Sequence, residues 1–281
     1  MITAKVIAHS ISDQDIQIIT LQLRYPKFIH GELMTHRVFS RNASSSRAIP
    51  FERFVEDIER DMAMPVYWGS AKPGMQAGAE IEDIDVARYT WSLAYQAAKE
   101  YATQLVNLGL HKQIANRILE PFYCINTLVT STEWDNFFEL RDHPDAQPEI
   151  RALAIEMKNA INWSEPTLPR LIPSQWHLPY ISYEEKKIYH NNDLIKASVA
   201  RCARVSYLTH DAKTPDLASD IALHDKLVVS KPMHASPAEH QATPIVLGWQ
   251  KNDDVLCGNF KGWIQYRKLL ESASPCFIRE K

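Results

Sequence analysis

Residues 16–25 alternate with a period of two: Ile19, Leu21, Leu23 and Tyr25 fall on one face, Thr20, Gln22 and Arg24 on the other. Successive side chains of a strand point to opposite sides of a sheet, so this pattern predicts a half-buried strand, ended by Pro26. A different period follows. Over 84–108, Tyr89, Leu93, Ala97, Tyr101 and Leu105 recur near helical spacing, and Gly109 stands as a stop, which predicts one long amphipathic helix. A chain carrying both patterns packs helices on a sheet, and its class is α+β.

The remaining elements read less sharply. A short helix is predicted over 28–37, delivering His36 and Arg37 to a loop. Pro50 opens a helix that points Phe51, Phe54, Val55 and Ile58 inward. Residues 62–80 read as an irregular loop, and 111–119 as a helix carrying Arg117 and ending before Pro121. Thr132 is placed as the cap of a helix through Leu140. Asp145 is placed as the cap of a helix over 146–162 with Ile150, Leu153, Met157 and Ile161 buried. Residues 163–192, with four prolines and several aromatics, read as an ordered connection. Helices follow at 193–204 and 215–229, then a turn into a strand over 231–248, then a helical or strand element at 262–268.

With 281 residues, the chain can build one large domain or two ordinary ones. No apolar run has the length of a membrane span, and the N-terminus lacks a signal-peptide pattern. A net charge of −3 gives no reason to expect a nucleic-acid binder. Cys124, Cys202, Cys257 and Cys276 are scattered without a CxxC pair, which fits buried thiols in a reducing, cytoplasmic compartment. Neither GxGxxG nor a P-loop occurs, so a bound nucleotide must be held by side chains and helix ends.

The chemistry concentrates in 35–47, where one histidine, three arginines and four serines fall in thirteen residues. Arginine forks and small hydroxyls in that density suit a phosphorylated, planar ligand; a solvated basic loop is the plain alternative. Four further pieces stand beside it. They are Arg117; Asn136-Phe137-Phe138-Glu139-Leu140-Arg141 followed by Ala146-Gln147-Pro148-Glu149-Ile150-Arg151; Ala203-Arg204-Val205-Ser206-Tyr207; and His234-Ala235-Ser236-Pro237-Ala238-Glu239-His240. His234, Glu239 and His240 do not read as a metal site, because Pro237 interrupts helical presentation and no third histidine is placed beside them.

Together these blocks resemble the flavin-dependent thymidylate synthases, the ThyX family, whose signature is Arg-His-Arg, seven residues, Ser, with ARVSY, HxSPxEH and NFxxLR…AQxEIR elsewhere. The resemblance covers residues 16–162 and 195–245. The order is unusual: ARVSY and HxSPxEH here follow the Arg-His-Arg block instead of preceding it. A circular permutation accounts for this and requires residues near 245 to lie close to residues near 15.

The resemblance implies one ThyX-like domain over 1–281, with a central, mostly antiparallel sheet and flanking helices. Its blocks sit in 1–165 and 195–245, and 248–281 is an extension without a counterpart. It implies methylene transfer from methylenetetrahydrofolate to C5 of dUMP, reduction through FAD by NADPH, and a homotetramer. No membrane or nucleic-acid partner is implied. By position, Glu32, Ser44, Ser45, Ser46, Arg47, Arg117 and Arg141 should bind the nucleotide, with Arg141 the catalytic group at the pyrimidine edge. Thr35, His36, Arg37, Asn136, Ser206, Ser236 and Glu239 should contact FAD.

The pattern also breaks. Thr35 replaces the first arginine of the signature, Glu32 stands where glutamine is common, and Ala43 where a larger polar residue is. Asp145 stands at a histidine position, and Thr130 and Thr132 stand where Asn and Arg flavin contacts are usual. Glu32 would accept a hydrogen bond from the amino group of cytosine or pair with a nearby arginine. These departures leave two other readings: hydroxymethylation of dUMP or dCMP, and a nucleotide-binding relative that lost flavin. Trp263, Tyr266 and Arg267 either close over a ligand or pack at an interface.

Overall fold

The computed structural model describes residues 1–205, 216–230, 233–246 and 255–273. In chain order its elements are β1 (Thr3–Ser12), β2 (Gln17–Pro26), α1 (His30–Leu33), β3 (Ser40–Ala43), α2 (Phe51–Arg60), α3 (Ile84–Asn107) and α4 (Lys112–Ala115). They continue with β4 (Cys124–Ser131), α5 (Asp135–Arg141), α6 (Pro148–Asn162), β5 (Thr167–Leu171), α7 (Tyr183–Ile188), α8 (Asn191–Ala203) and α9 (Leu217–Val229). The last three are β6 (Ala242–Pro244), β7 (Trp263–Gln265) and α10 (Tyr266–Ala273).

Five strands form one sheet in the order β3-β4-β2-β1-β5, and β6 pairs with β7 in a second. Every pairing is antiparallel except β1 with β5. This is the mostly antiparallel sheet with flanking helices that the resemblance implies. The alternation of β2 does what a strand's geometry requires: Leu21, Leu23 and Tyr25 are fully buried on one face. They pack with Phe54 and Ile58 of α2, Tyr95 of α3 and Ile150, Leu153 and Met157 of α6. The opposite face is not solvent. Ile18 packs with Ala242, Phe260 and Trp263, and Thr20 is fully buried, so the strand is covered on both sides.

Several boundaries differ from the sequence reading. The helix over 28–37 shortens to a 3-10 turn at Lys27–Ile29 and the single turn of α1. Thr35 Oγ1 bonds back to the carbonyl of Glu32 at 2.7 Å and closes the chain into a turn, so His36 and Arg37 leave the helix early. Thr132 does not cap α5; its hydroxyl accepts from the Lys261 N–H at 2.9 Å. Asp145 does not cap α6, which begins at Pro148 because proline's fixed φ suits the first helical position. Beyond α4 the chain runs as a 3-10 helix from Asn116 through Pro121 to Phe122. The connection over 163–192 contains β5 and α7, the latter opened by a Ser182/Glu185 capping box.

Helix α3 has the predicted length but turns the other way. Its buried side is Tyr95 and Ala102, with Trp91 and Ala98 half-buried, while Tyr89, Leu93 and Tyr101 are exposed. Two residues along a helix rotate by about 200°, so the 89–93–101 stripe lies opposite the 91–95–102 stripe. Both stripes are apolar, and periodicity alone cannot choose between them. The contact required by a permuted order is present: the Gln14 side chain donates to the Ile245 carbonyl at 3.1 Å, and the Trp263 indole to that of Ile16 at 3.3 Å. Of the extension, Trp263 is fully buried against Ile18, and Tyr266 packs on Trp176.

Candidate active site

Helix α5 places the central side chain. Phe137 is buried among Phe39 and Phe138, and Arg141, one turn further on, emerges on the same face. His36 stands edge-on to Phe137 with ring centroids 4.8 Å apart, so Arg141 is laid across its imidazole. The Arg141 Nε–H donates to His36 Nε2 at 2.9 Å, Nη2 reaches Thr35 Oγ1 at 3.3 Å, and Nη1 stands 3.8 Å from the Glu32 carboxylate. Four residues predicted for the site thus meet at one guanidinium. Accepting from Arg141 fixes His36 as the neutral tautomer with its proton on Nδ1. Burial and then the charges of Arg141 and Arg41 hold its pKa below the usual imidazole value. Burial raises the Glu32 pKa, while Arg141 opposes that shift. Of the two options for Glu32, the pairing with an arginine is the one seen.

Arg37 and Asn136 are exposed, and neither side chain has a hydrogen-bond partner among the described residues. Arg41 was not singled out in the sequence, yet it braces the loop by donating to the carbonyls of Met34 at 2.7 Å and His36 at 3.2 Å. Its position on β3, within the basic run, was the available signal.

The serine loop forms a second cluster. Ser44 and Ser46 are buried and Arg47 is exposed. Ser44 Oγ accepts from the Asn126 N–H at 3.2 Å. Asn116 ties the loop to the 3-10 helix, donating to the carbonyls of Ser46 at 2.7 Å and Ile49 at 3.1 Å. Glu120, which sequence reasoning missed, accepts from Ser46 Oγ at 2.5 Å and from Arg117 at 2.9 Å. A carboxylate therefore holds the hydroxyl and guanidinium that a phosphate would use. Ser45 is half-buried and closes a turn with Ala48.

The His234–His240 block packs against β3. Ser236 Oγ donates to Asn42 Oδ1 at 3.2 Å, and Glu239 is paired with Arg267. His240 is buried, with Nδ1 on Thr130. Ser206 lies outside the described residues. Cys124, Cys202 and Cys257 are buried, and burial raises the pKa values of Cys124 and Cys202, which disfavours their thiolate forms. Among the described residues no group of three His, Cys, Asp or Glu side chains is placed to hold a metal ion, and no helix is long and apolar enough to cross a membrane.

A family model described as thymidylate synthase complementing protein matches residues 13–167, more than half of the chain. No curated protein matches. Among solved structures, the chain is similar to a UMP/dUMP methylase PolB from Streptomyces cacaoi bound with 5-Br dUMP. The identity is 20% over 57% of this chain and 90% of that one, with a TM-score of 0.48. The same methylase bound with 5-Br UMP is 22% identical over 57% of this chain and 88% of its own, with a TM-score of 0.46.

Proposed function

The chain belongs to the thymidylate synthase complementing protein family, and from that premise we propose that it methylates C5 of dUMP, taking the carbon from methylenetetrahydrofolate. The observation that carries the reading is Arg141 held across His36 with Thr35 and Glu32 at its outer nitrogens. Its Nε is engaged by His36, which fixes the plane of the guanidinium. Nη1 and Nη2 make only the longer contacts of 3.8 and 3.3 Å, and they are the atoms offered to a pyrimidine carbonyl. Negative charge growing on the carbonyl and ring nitrogen as C5 is activated is stabilised there without reorganisation of the site.

The nucleotide phosphate is assigned to Ser45, Arg47 and Arg117, with Ser44 and Ser46 shaping the loop from within. Glu120 competes with the phosphate for Ser46 and Arg117. FAD suits two exposed donors beside this centre, without partners among the described residues: the Arg37 guanidinium for its diphosphate and the Asn136 amide for its ring. Thr35, His36, Ser236, Glu239 and Ser206 complete the assignment. When bound, FAD reduced by NADPH supplies the hydride that converts methylene to methyl. The exposed Val86, Tyr89, Leu93 and Tyr101 on α3 support a homotetramer, and the buried Cys124 and Cys202 thiols support a reducing, cytoplasmic compartment. The Gln14–Ile245 contact supports the permuted order.

The test is the mass of the nucleotide formed from dUMP or dCMP with FAD, NADPH and methylenetetrahydrofolate. A methyl increment on dUMP is the expected outcome. A hydroxymethyl increment, or reaction of dCMP alone, moves the reading to Glu32, whose half-exposed carboxylate beside Arg141 is the feature that would accept an amino group. No product from either rejects the enzyme. Arg141→Ala is expected to keep bound flavin and lose roughly 10²–10³ in rate; turnover at the wild-type rate removes Arg141 from the chemistry.

A further inference from the structure

Residues 255–273 lie outside the family match, which ends at residue 167, yet they fold onto the blocks that carry the resemblance. The Lys261 N–H donates to Thr132 Oγ1 at 2.9 Å. Gln265, 3% exposed, bridges the two halves by donating to Ser40 Oγ at 2.9 Å and to the Glu239 carbonyl at 3.2 Å. Arg267 pairs with the Glu239 carboxylate and, at 2.7 Å, with Glu271. β7 pairs with β6, which follows the Glu239 turn.

Between this segment and β3 lies a cavity of about 330 Å³, within the size range of small-ligand sites. Met34, 40% exposed, is its one accessible apolar side chain among the described lining residues. Its polar wall is formed by the cations Arg41, Arg267 and Lys268 and the amides of Asn259 and Gln265, and Glu239 is the sole carboxylate among the described lining residues. Glu239 is already paired with Arg267. With Glu271 on the rim, three cations stand against two carboxylates. A cavity with a net positive charge selects acceptor oxygens carrying negative charge.

We propose that this cavity is a binding site for an anionic oxygen group, a carboxylate or a phosphate, borne by a larger ligand. Only the identity of that larger ligand rests on the function proposed above. The methylenetetrahydrofolate of that reaction ends in a glutamyl carboxylate, and its flavin carries phosphate. The C-terminal segment is then a wall of the site.

Calorimetric titration of the full chain decides between the sources, using two ligand pairs. Tetrahydrofolate is compared with the primary amide of tetrahydropteroate, which carries no carboxylate, and FMN with riboflavin, which lacks the phosphate. Lys268→Ala and Asn259→Ala are expected to weaken the anionic member of one pair by about 10-fold and to leave its neutral partner unchanged, as loss of a charge-assisted hydrogen bond does. Lys268→Arg restores the charge. A loss confined to tetrahydrofolate assigns the carboxylate, and one confined to FMN the phosphate. Equal losses within both pairs, or none, overturn the site. Glutarate and inorganic phosphate probe the cavity alone. Each is compared with chloride at equal ionic strength for its effect on Tm, and a gain in the wild type that Lys268→Ala and Asn259→Ala lose supports the site. If that difference is seen while none of the four larger ligands binds, the anion site stands and the flavin–folate reading falls. If dUMP is methylated and no probe separates the variants from wild type, the site falls and the function stands.

Discussion

The two faces of β2 show two ways of being buried. One face, Leu21, Leu23 and Tyr25, meets α2, α3 and α6 in a hydrocarbon and aromatic core. The other carries Thr20 and Gln22, yet Thr20 is as inaccessible as Leu23. Its cover comes from the last third of the chain and the segment before it, and it is joined by hydrogen bonds. Thr20 Oγ1 meets His177 Nε2 at 2.8 Å and Thr130 Oγ1 at 2.7 Å, and Thr130 meets His240 Nδ1 at 2.8 Å. Ser10 closes the far end on His177 Nδ1 at 2.9 Å, and Tyr180 donates to Gln22 at 2.8 Å. The first face needs only volume. The second depends on its partners, because an unmade buried hydrogen bond costs more than a made one contributes, and among the described residues His240 Nε2 is left without one.

That difference can be broken in order of size. Leu23→Ala should cost about 2–5 kcal/mol in equilibrium unfolding, the range for a large-to-small change in a packed core. A loss near zero would mean that this face is loosely packed. Next is acid. Burial lowers the pKa values of His177 and His240 to about 3, so both are neutral when folded and titrate near 6.5 when unfolded. Between those values the unfolded state binds more protons. The stability from keeping them neutral is therefore complete above pH 6.5 and is lost as pH falls toward 3, at up to about 1.4 kcal/mol per pH unit for each. Urea midpoints at pH 7, 6 and 5 measure the slope, and His240→Asn should flatten it. A slope unchanged by that variant would show that His240 is not the desolvated group described here.

The smallest change is Thr20→Val, nearly equal in volume, which removes the hydroxyl between His177 and Thr130. It should cost about 1–3 kcal/mol, the penalty for leaving buried polar groups unpaired. A neutral outcome would erase the distinction between the two faces, leaving shape as all that either requires.

The site shows the same division. His36, Arg37, Ser45, Arg117 and Arg141 were legible as a list, because arginines and serines in such density are poor core material. That Arg141 lies on His36, and that Ser46 turns inward to Glu120, was not legible. The first depends on Phe137 setting the rotation of α5, and the second on a 3-10 helix that brings Glu120 beside a loop 74 residues earlier in the chain. Strand β4 escaped notice for a related reason. Covered on both faces, Cys124–Ser131 has no alternation to read. Strand β3 is four residues long, too short to show a period.

By itself the sequence determined the local grammar: the strand at β2, the proline start of α2, the length of α3 with its glycine stop, and the residue types at the chemical centre. These follow from steric and periodic rules acting over a few residues. Only the tertiary structure decided which apolar stripe of α3 turns inward, why a threonine face is buried as deeply as a leucine face, and which carboxylates meet which arginines. Those outcomes depend on surfaces brought together from distant parts of the chain, and on a balance of desolvation and pairing that exists only once both partners are in place.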